Sequence, residues 1–251
     1  FNEEATLARV VEKLIDVPYL REIIIVDDCS SDRTLAIARQ LAAEYPQVRA
    51  LTHERNRGKT DALRTGFAET RGDIVIVQDA DLEYDPAEIK EVIQPIVDGI
   101  ADVVFGSRFL VRKAARVLYF YHYIANKALT FFSNLLTNVN LSDVETGYKA
   151  FRGEIIRNMV ITSKGFGFEI EVTAKVAKLG CAIFEVPISY YGRTYEQGKK
   201  IGMKDGIAAI WYIVRYNWLT SREASYRAIP DLGEERRAAN PPTGYQPAPQ
   251  K

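Results

Sequence analysis

The sequence of 251 residues contains few of the side chains that build zinc sites or disulfide frameworks. Its two cysteines, Cys29 and Cys181, lie far apart along the chain, which favours two reduced thiols over one disulfide. Its two histidines, His53 and His122, are too few for a zinc site of histidine and cysteine ligands. We therefore expect any metal ion to be bound by oxygen, as Mg²⁺ and Mn²⁺ usually are.

The chain also lacks an excess of charge and a long apolar run. Lysine and arginine together number 33, as do aspartate and glutamate, so nothing favours nucleic acid as a partner. No signal peptide is visible, and no run reaches the roughly 20 apolar residues that cross a bilayer. The chain begins at Phe1 without a methionine, and we expect that residues ahead of Phe1 are missing.

Strand-like and helix-like patterns alternate over the first 108 residues. Runs of β-branched residues predict strands, and apolar residues at helical spacing predict the helices between them. The predicted strands are 22–28, 48–53, 73–79 and 101–108, and the predicted helices are 7–15, 32–45, 58–70 and 86–97. Short links between them predict an α/β domain with a mainly parallel sheet and helices on both faces.

The pattern changes after residue 108. Helices are predicted within 113–141, 165–180 and 203–218, and a strand within 181–191, where Pro187 indicates a sheet edge or a bulge. From about Ser221 the chain is polar and rich in proline, so residues 221–251 are predicted to be a disordered tail after a domain of residues 1–220.

Three acids, Asp79, Asp81 and Glu83, follow the third predicted strand directly. An isolated Asp-x-Asp pair, such as Asp79 and Asp81 form, is more often a solvated acidic turn. Here, however, the pair follows a buried strand and lies at the carboxyl edge of the sheet, where ligands of such domains bind. Asp27 with Asp28, and Arg108, end two other predicted strands at the same edge. This arrangement favours a cation site, because one or two carboxylates together with substrate phosphates suit Mg²⁺ or Mn²⁺.

Other polar residues offer weaker signals. Gly58 and Lys59 open a predicted helix, and could offer backbone N–H groups and a cation to phosphate. Asp143 and Glu145 could position an acceptor or a sugar hydroxyl, although Asp143 could equally cap a turn. Glu169 and Glu171 lie about half a helical turn apart, so we expect at most one of them to face the site. Lys149 could reach a phosphate or be an ordinary surface lysine.

Taken in order, a series of motifs resembles the inverting nucleotide-sugar glycosyltransferases that include the dolichol-phosphate mannose synthases. The motifs are "FNEE", "VDDCSSDRT", "NRGKTDALRTGF", "GDIVIVQDADLEYDP" and "GSRF". The polyprenyl-phosphate branch of that family is resembled by "DVETGYKAFR", "GFGFEIEV" and "YYGRTYEQGKKIGMKDG". The resemblance covers roughly residues 1 to 218, and it is the order of the motifs that makes it specific.

The resemblance implies a single nucleotide-binding domain of the glycosyltransferase A type. It implies a metal ion, Mg²⁺ or Mn²⁺, on Asp79 and Asp81, with Glu83 as a further ligand. It implies a nucleoside site at Phe1, Glu3, Val26 and Asp28, and a wider nucleotide-sugar site that adds Lys59, Asp79, Ala80, Asp81 and Arg108. It places Arg108, Arg193 and Lys199 on the phosphates of donor and acceptor. The first strand of that family is absent here, so the sheet should lack a central strand.

The implied reaction moves mannose or glucose from GDP-mannose or UDP-glucose to a polyprenyl or dolichyl phosphate. Transfer to a non-lipid acceptor, or an inactive nucleotide-sugar-binding protein, is the alternative. Aromatic residues mixed with polar ones within 117–136 and 207–219 suit helices lying in a membrane interface, on the cytoplasmic leaflet. The same helices could instead contact the core or a second copy in a homo-oligomer.

Overall fold

The computed structural model describes residues 1–110, 119–192 and 203–233, with the side chains of 203–205 left aside. Strands and helices alternate as the sequence predicts. The strands are β1 (Ile23–Asp27), β2 (Val48–Thr52), β3 (Ile74–Ile76), β4 (Val103–Ser107), β5 (Lys149–Arg152) and β6 (Ile183–Pro187). The helices are α1 (Leu7–Ile15), α2 (Thr34–Glu44), α3 (Lys59–Glu69), α4 (Ile89–Val97), α5 (Phe120–Thr137), α6 (Gly153–Asn158), α7 (Phe168–Leu179), α8 (Met203–Trp218) and α9 (Arg222–Ser225).

The described strands form two sheets. β1 and β2 pair in parallel, and the other sheet has the order β3-β5-β4-β6. Within it β4 and β6 are parallel, whereas β5 is antiparallel to both of its neighbours. The predicted α/β class with helices on both faces is confirmed. β6 is an edge strand, as the proline at its end indicates.

The strand β5 is missing from the sequence-based prediction. It has four residues, Lys149–Arg152, and lies between β3 and β4. Alternation cannot reveal it, because three of its residues are buried and a charged residue stands at each end. Because β5 is antiparallel to β3 and β4, the sheet is mixed, whereas the sequence predicts a mainly parallel one.

A wide cleft separates β1 from β3. Consecutive residues of both strands, 23–26 and 74–77, line the same cavity, so the strand edges face it rather than one side-chain face. At one end, Oε1 of Glu22 accepts N–H bonds from Arg71 at 2.6 Å and Gly72 at 3.1 Å, which joins the starts of the two strands.

Apolar side chains pack on both faces of the four-stranded sheet. Val104 and Ala150 face a core that includes α1 and α4, whereas Val103, Phe105 and Phe151 face a second core formed with α6 and α7. The two cysteines are free, as predicted, with Cys29 exposed and Cys181 buried. No described helix is long and apolar enough to cross a membrane.

The predicted disordered tail is wrong for its first part. Ser221 caps α9 by accepting a hydrogen bond from the N–H of Ala224, and Tyr226 forms a bridge with Met159. Tyr226 and Leu232 are 4% and 2% exposed in the second core. The folded part therefore extends at least to residue 233, and residues 234–251 lie outside the described ranges.

Candidate active site

One cavity of about 1840 Å³ collects the predicted site residues at the carboxyl ends of β1 and β3. Every predicted residue within the described ranges lines it, although these residues come from five separate motifs. They are Phe1, Glu3, Val26, Asp28, Lys59, Asp79, Ala80, Asp81, Glu83 and Arg108. Arg193 and Lys199 lie outside the described residues. The convergence supports the argument that the ends of parallel strands share one edge.

The acidic turn after β3 is held in a specific shape. Oδ1 of Asp81 accepts a hydrogen bond from the N–H of Glu83 at 3.1 Å. Between them Leu82 has φ of 59°, a left-handed conformation that costs a non-glycine residue about 1–2 kcal/mol. The hydroxyl of Tyr190 donates to Oε2 of Glu83 at 3.0 Å. Hydrogen bonds therefore hold the turn in one conformation, and it is not a loose solvated loop.

The sequence predicts that Asp79, Asp81 and Glu83 bind one metal ion together, and the structure does not show this arrangement. No group of three or more His, Cys, Asp and Glu side chains is arranged to hold a metal within the described ranges. Glu83 is directed to Tyr190, so its predicted role as a third metal ligand is not supported by this geometry. Asp79 and Asp81 both line the cavity and offer the hard oxygens that Mg²⁺ and Mn²⁺ prefer.

A cation already lies at one of these acids. The ammonium group of Lys59 is 3.1 Å from a carboxylate oxygen of Asp79 and 3.1 Å from Oε1 of Glu169. Burial alone would lower the pKa of Lys59, but the charges of Asp79 and Glu169 raise it well above its ordinary value. Lys59 is thus a fixed positive charge inside the cavity, paired with the carboxylates of Asp79 and Glu169.

Asp28 is used to build the loop beside the site. Its carboxylate accepts N–H bonds from Arg57 at 2.9 Å and Gly58 at 2.7 Å, and Nδ1 of His53 lies 2.7 Å from Oδ1. Burial would raise the pKa of Asp28, yet these hydrogen bonds lower it below its ordinary value. The N–H group of Gly58, which the sequence-based interpretation offered to a phosphate, is therefore bound to Asp28, and the N–H of Thr60 donates to the carbonyl of Gly165 at 3.1 Å.

Arg108 is paired with a buried acid. Its Nε and one Nη each lie 2.7 Å from the carboxylate of Asp143, which is 0% exposed. The guanidinium group also lies 5.1 Å from the ring centre of Tyr190. Asp143 is fully buried, and its carboxylate orients Arg108 at the cavity wall.

Two tyrosines and a glycine lie at this part of the site, and no sequence pattern assigned a role to any of them. Tyr84 and Tyr148 stack with ring centres 5.1 Å apart, and the N–H of Gly147 donates to the hydroxyl of Tyr84 at 3.0 Å. A Cβ at Gly147 would lie 2.7 Å from Oδ2 of Asp79 and 3.1 Å from Nζ of Lys59. Only glycine leaves room there for the Asp79–Lys59 pair.

The two glutamates of α7 diverge as predicted. Glu169 faces Lys59 and the cavity, whereas Glu171 accepts hydrogen bonds from the N–H groups of Thr162 and Ser163 and pairs with Lys175 at 2.6 Å. Lys149 is 0% exposed and donates to the carbonyl of Val144 at 3.0 Å, so it is neither a surface lysine nor shown to reach a phosphate.

The comparisons with known proteins agree with this geometry. Residues 1–160 match the model of glycosyl transferase family 2. The chain belongs to that family. It is accordingly a glycosyltransferase, and the sequence-based recognition is confirmed.

Curated relatives of this family 2 glycosyltransferase act on polyprenyl phosphates, as their names state. The chain is 29% identical over 216 residues to the undecaprenyl-phosphate mannosyltransferase of Micrococcus luteus, covering 84% of this chain and 88% of that protein. It is 30% identical to the polyprenol monophosphomannose synthase of Mycolicibacterium smegmatis, covering 80% and 78%. It is also 30% identical to the dolichol-phosphate mannosyltransferase of Pyrococcus furiosus, covering 80% of this chain and 56% of that protein.

Solved structures of the same fold include glucosyl-3-phosphoglycerate synthase from Mycobacterium tuberculosis. Its complex with Mn²⁺, UDP and phosphoglyceric acid is similar with a TM-score of 0.68 at 20% identity, covering 87% of this chain and 76% of that one. Its complex with Mn²⁺ and UDP-glucose gives a TM-score of 0.65 at 19% identity, covering 86% and 76%. At this identity the likeness shows the fold.

Proposed function

We propose that this family 2 glycosyltransferase moves a hexose, mannose or glucose, from a nucleotide diphosphate sugar to a polyprenyl or dolichyl phosphate. The observation that carries the proposal is the single cavity that collects Phe1, Asp28, Lys59, Asp79 and Asp81 from distant motifs. The named activities of the curated relatives support a lipid phosphate as acceptor, and they favour mannose over glucose as the transferred sugar.

The nucleoside is expected at the Phe1, Glu3, Val26 and Asp28 end of the cavity, and the diphosphate near Asp79 and Asp81. A divalent ion, Mg²⁺ or Mn²⁺, bound by Asp79 and Asp81 would act as a Lewis acid on the charge that builds on the leaving diphosphate. Crystals of the structurally similar synthase contain Mn²⁺, which supports a metal of this type. Lys59 adds a fixed charge beside Asp79, where it orients the carboxylate.

The acceptor needs little activation by the protein. A phosphate monoester has a second pKa of about 6, so it is mostly a dianion at neutral pH and no strong general base is required. Direct attack on the anomeric carbon gives inversion of configuration. Arg193 and Lys199 are proposed to hold the acceptor and donor phosphates. The described chain reaches the acidic turn at Tyr191, because the N–H of Tyr191 donates to the carbonyl of Glu83 at 3.0 Å.

Access to the lipid is proposed through a surface defined here as the aromatic face. It comprises exposed residues of α5 and of α8 with its following turn: Phe120, Tyr121, Phe131, Leu135, Ile207, Trp211, Trp218 and Leu219. The two helices pack together, and Tyr121 and Ile207 also line the cavity. A continuous path from an apolar surface to the acidic turn suits a lipid whose phosphate must reach the diphosphate. We propose peripheral attachment of this face to the cytoplasmic leaflet.

The reaction can be tested with GDP-mannose and UDP-glucose as donors and a short-chain polyprenyl phosphate as acceptor. Transfer should require Mg²⁺ or Mn²⁺, and chelation of the metal should abolish it. Asp81→Asn should lower the rate by at least about 100-fold, since the Lewis-acid contribution is worth several kcal/mol. Glu154→Gln, an exposed change on α6, is the matched control and should leave the rate unchanged. Full activity of Asp81→Asn, or full activity without metal, would contradict the proposed mechanism.

A further inference from the structure

Two carboxylates of the cavity each have an oxygen that the described part of the chain leaves without a hydrogen bond. These oxygens, Oε1 of Glu145 and Oε2 of Glu169, are both buried. Glu169 is 4% exposed, and both residues line the cavity. Because buried carboxylate oxygens normally accept hydrogen bonds, these two oxygens are available to accept them from a molecule bound in the cavity.

The position of Glu169 relative to the reaction centre is fixed. Its Oε1 is 3.1 Å from the ammonium group of Lys59, which is in turn 3.1 Å from Asp79. One ammonium group therefore separates Glu169 from the acid that is proposed to face the diphosphate. In a nucleotide sugar the diphosphate links the nucleoside to the hexose. Because the nucleoside is proposed at the end of the cavity lined by Phe1 and Asp28, the hydroxyl groups of the hexose are expected nearest this pair.

The surroundings favour neutral hydroxyl donors over a second cation. Lys59, Lys149 and Arg108 already supply positive charge around the two acids. The described ranges contain no group of three or more side chains arranged to hold a metal. Burial, together with the negative charge of Glu169, raises the pKa of Glu145 to about 7. Near neutral pH Glu145 is thus able both to accept a hydrogen bond and to donate one, which suits a hydroxyl.

We propose that Glu145 and Glu169 form the subsite that binds hydroxyl groups of the transferred hexose and selects which hexose is accepted. The inference rests on the proposed function, since it assigns a part of the same donor site. The two glutamates act by positioning the sugar, and they are separate from the acids proposed to bind the metal.

Calorimetric titration of the full chain with GDP-mannose, GDP, UDP-glucose and UDP, each with Mn²⁺, tests this subsite. Glu169→Gln and Glu145→Gln keep the side-chain volume and remove the charge. Each variant should lower the affinity for the preferred nucleotide sugar about tenfold, because hydrogen bonds to charged groups are the stronger ones. The affinity for the matching nucleoside diphosphate should change less than about twofold. Analogues of the preferred donor that each lack one hydroxyl should bind the unmodified chain more weakly than the complete donor does. For the variant that lacks the glutamate contacting that hydroxyl, the analogue and the complete donor should bind equally well.

The outcomes separate this inference from the proposed function. Equal weakening of nucleotide sugar and nucleoside diphosphate, or no weakening of either, overturns the subsite while nucleotide binding stands. Binding of none of the four ligands by the unmodified chain rejects the proposed function and the subsite with it. If either variant fails to fold by circular dichroism, the analogue series on the unmodified chain decides, and equal affinity for every analogue overturns the subsite.

Discussion

Arg108 and Asp143 show how a residue predicted to bind phosphate depends on an acid that the sequence left ambiguous. Their side chains are 9% and 0% exposed, so both charges lie largely out of water. The two 2.7 Å hydrogen bonds compensate for part of the loss of hydration. Burial alone would lower the pKa of Arg108, but Asp143 raises it well above its ordinary value, so the guanidinium group stays charged.

Replacement of Asp143 by asparagine should destabilise the protein by about 3–5 kcal/mol, because it leaves the charge of Arg108 buried and unpaired. Urea denaturation followed by circular dichroism measures this loss. Glu4→Gln removes the acid of an exposed ion pair with Arg33, whose side chain is 83% exposed, and should cost at most about 1 kcal/mol. Equal small losses for the two variants would show that the Arg108–Asp143 pair is not effectively buried.

Glu145 should make stability depend on pH. Its folded pKa is raised from 4.5 to about 7 by burial and by the charge of Glu169; Asp143 also raises it, whereas Lys149 and Arg108 lower it. The folded state therefore binds a proton more tightly than the unfolded state does. The resulting stabilisation is complete below about pH 4.5 and is lost as the pH rises through about 7.

Glu145→Gln, which cannot ionise, should thus become more stable relative to the unmodified chain as the pH rises. Thermal melts at about pH 5 and about pH 8 should show this difference growing by up to about 3 kcal/mol. A difference that stays constant with pH, or that shrinks as the pH rises, would contradict the raised pKa.

At the scale of elements, the end of the folded chain lies beyond α8. Tyr226 donates its hydroxyl to the carbonyl of Lys175 on α7 at 3.0 Å and is buried together with Leu232. The sequence composition suggested a disordered tail here because polar residues surround these two apolar side chains. Their burial is a tertiary effect, since α6 and α7 supply the surface that they cover.

A chain that ends at residue 220 should be less stable than one that ends at residue 233. The shorter chain exposes the surface covered by Tyr226 and Leu232, and burial of side chains of this size contributes about 1.5–3 kcal/mol each. Differential scanning calorimetry of the two chains should show a lower Tm for the shorter one. Identical Tm values would mean that α9 and the following residues add nothing to the core.

On the scale of the whole molecule, the proposed membrane attachment depends on the aromatic face. The net charge is zero, so long-range attraction to anionic lipids is weak and apolar burial must supply the binding energy. Phe131 and Leu135 lie one helical turn apart on α5 and are 62% and 64% exposed. Aromatic residues on two packed helices are suited to the bilayer interface.

The protein should therefore co-sediment with anionic vesicles, and serine at both Phe131 and Leu135 should reduce the bound fraction. Val97→Ser is the control, because Val97 is 59% exposed at the end of α4 and lies outside the aromatic face. Sedimentation velocity without vesicles checks the alternative. If the unmodified chain stays in the supernatant but forms a dimer that the double serine change disrupts, the aromatic face is a contact between copies.

The sequence by itself determined the alternation of strands and helices and the edge of the sheet at which the polar motifs end. These features follow from local periodicity and from the geometry of parallel strands, so they need no knowledge of distant contacts. Only the tertiary structure decided that β5 inserts antiparallel between β3 and β4, that Asp143 orients Arg108, and that Glu169 reaches Lys59. Each of these three features joins groups that lie far apart in the sequence. No local pattern specifies such a pairing, because burial and packing of the whole domain select it.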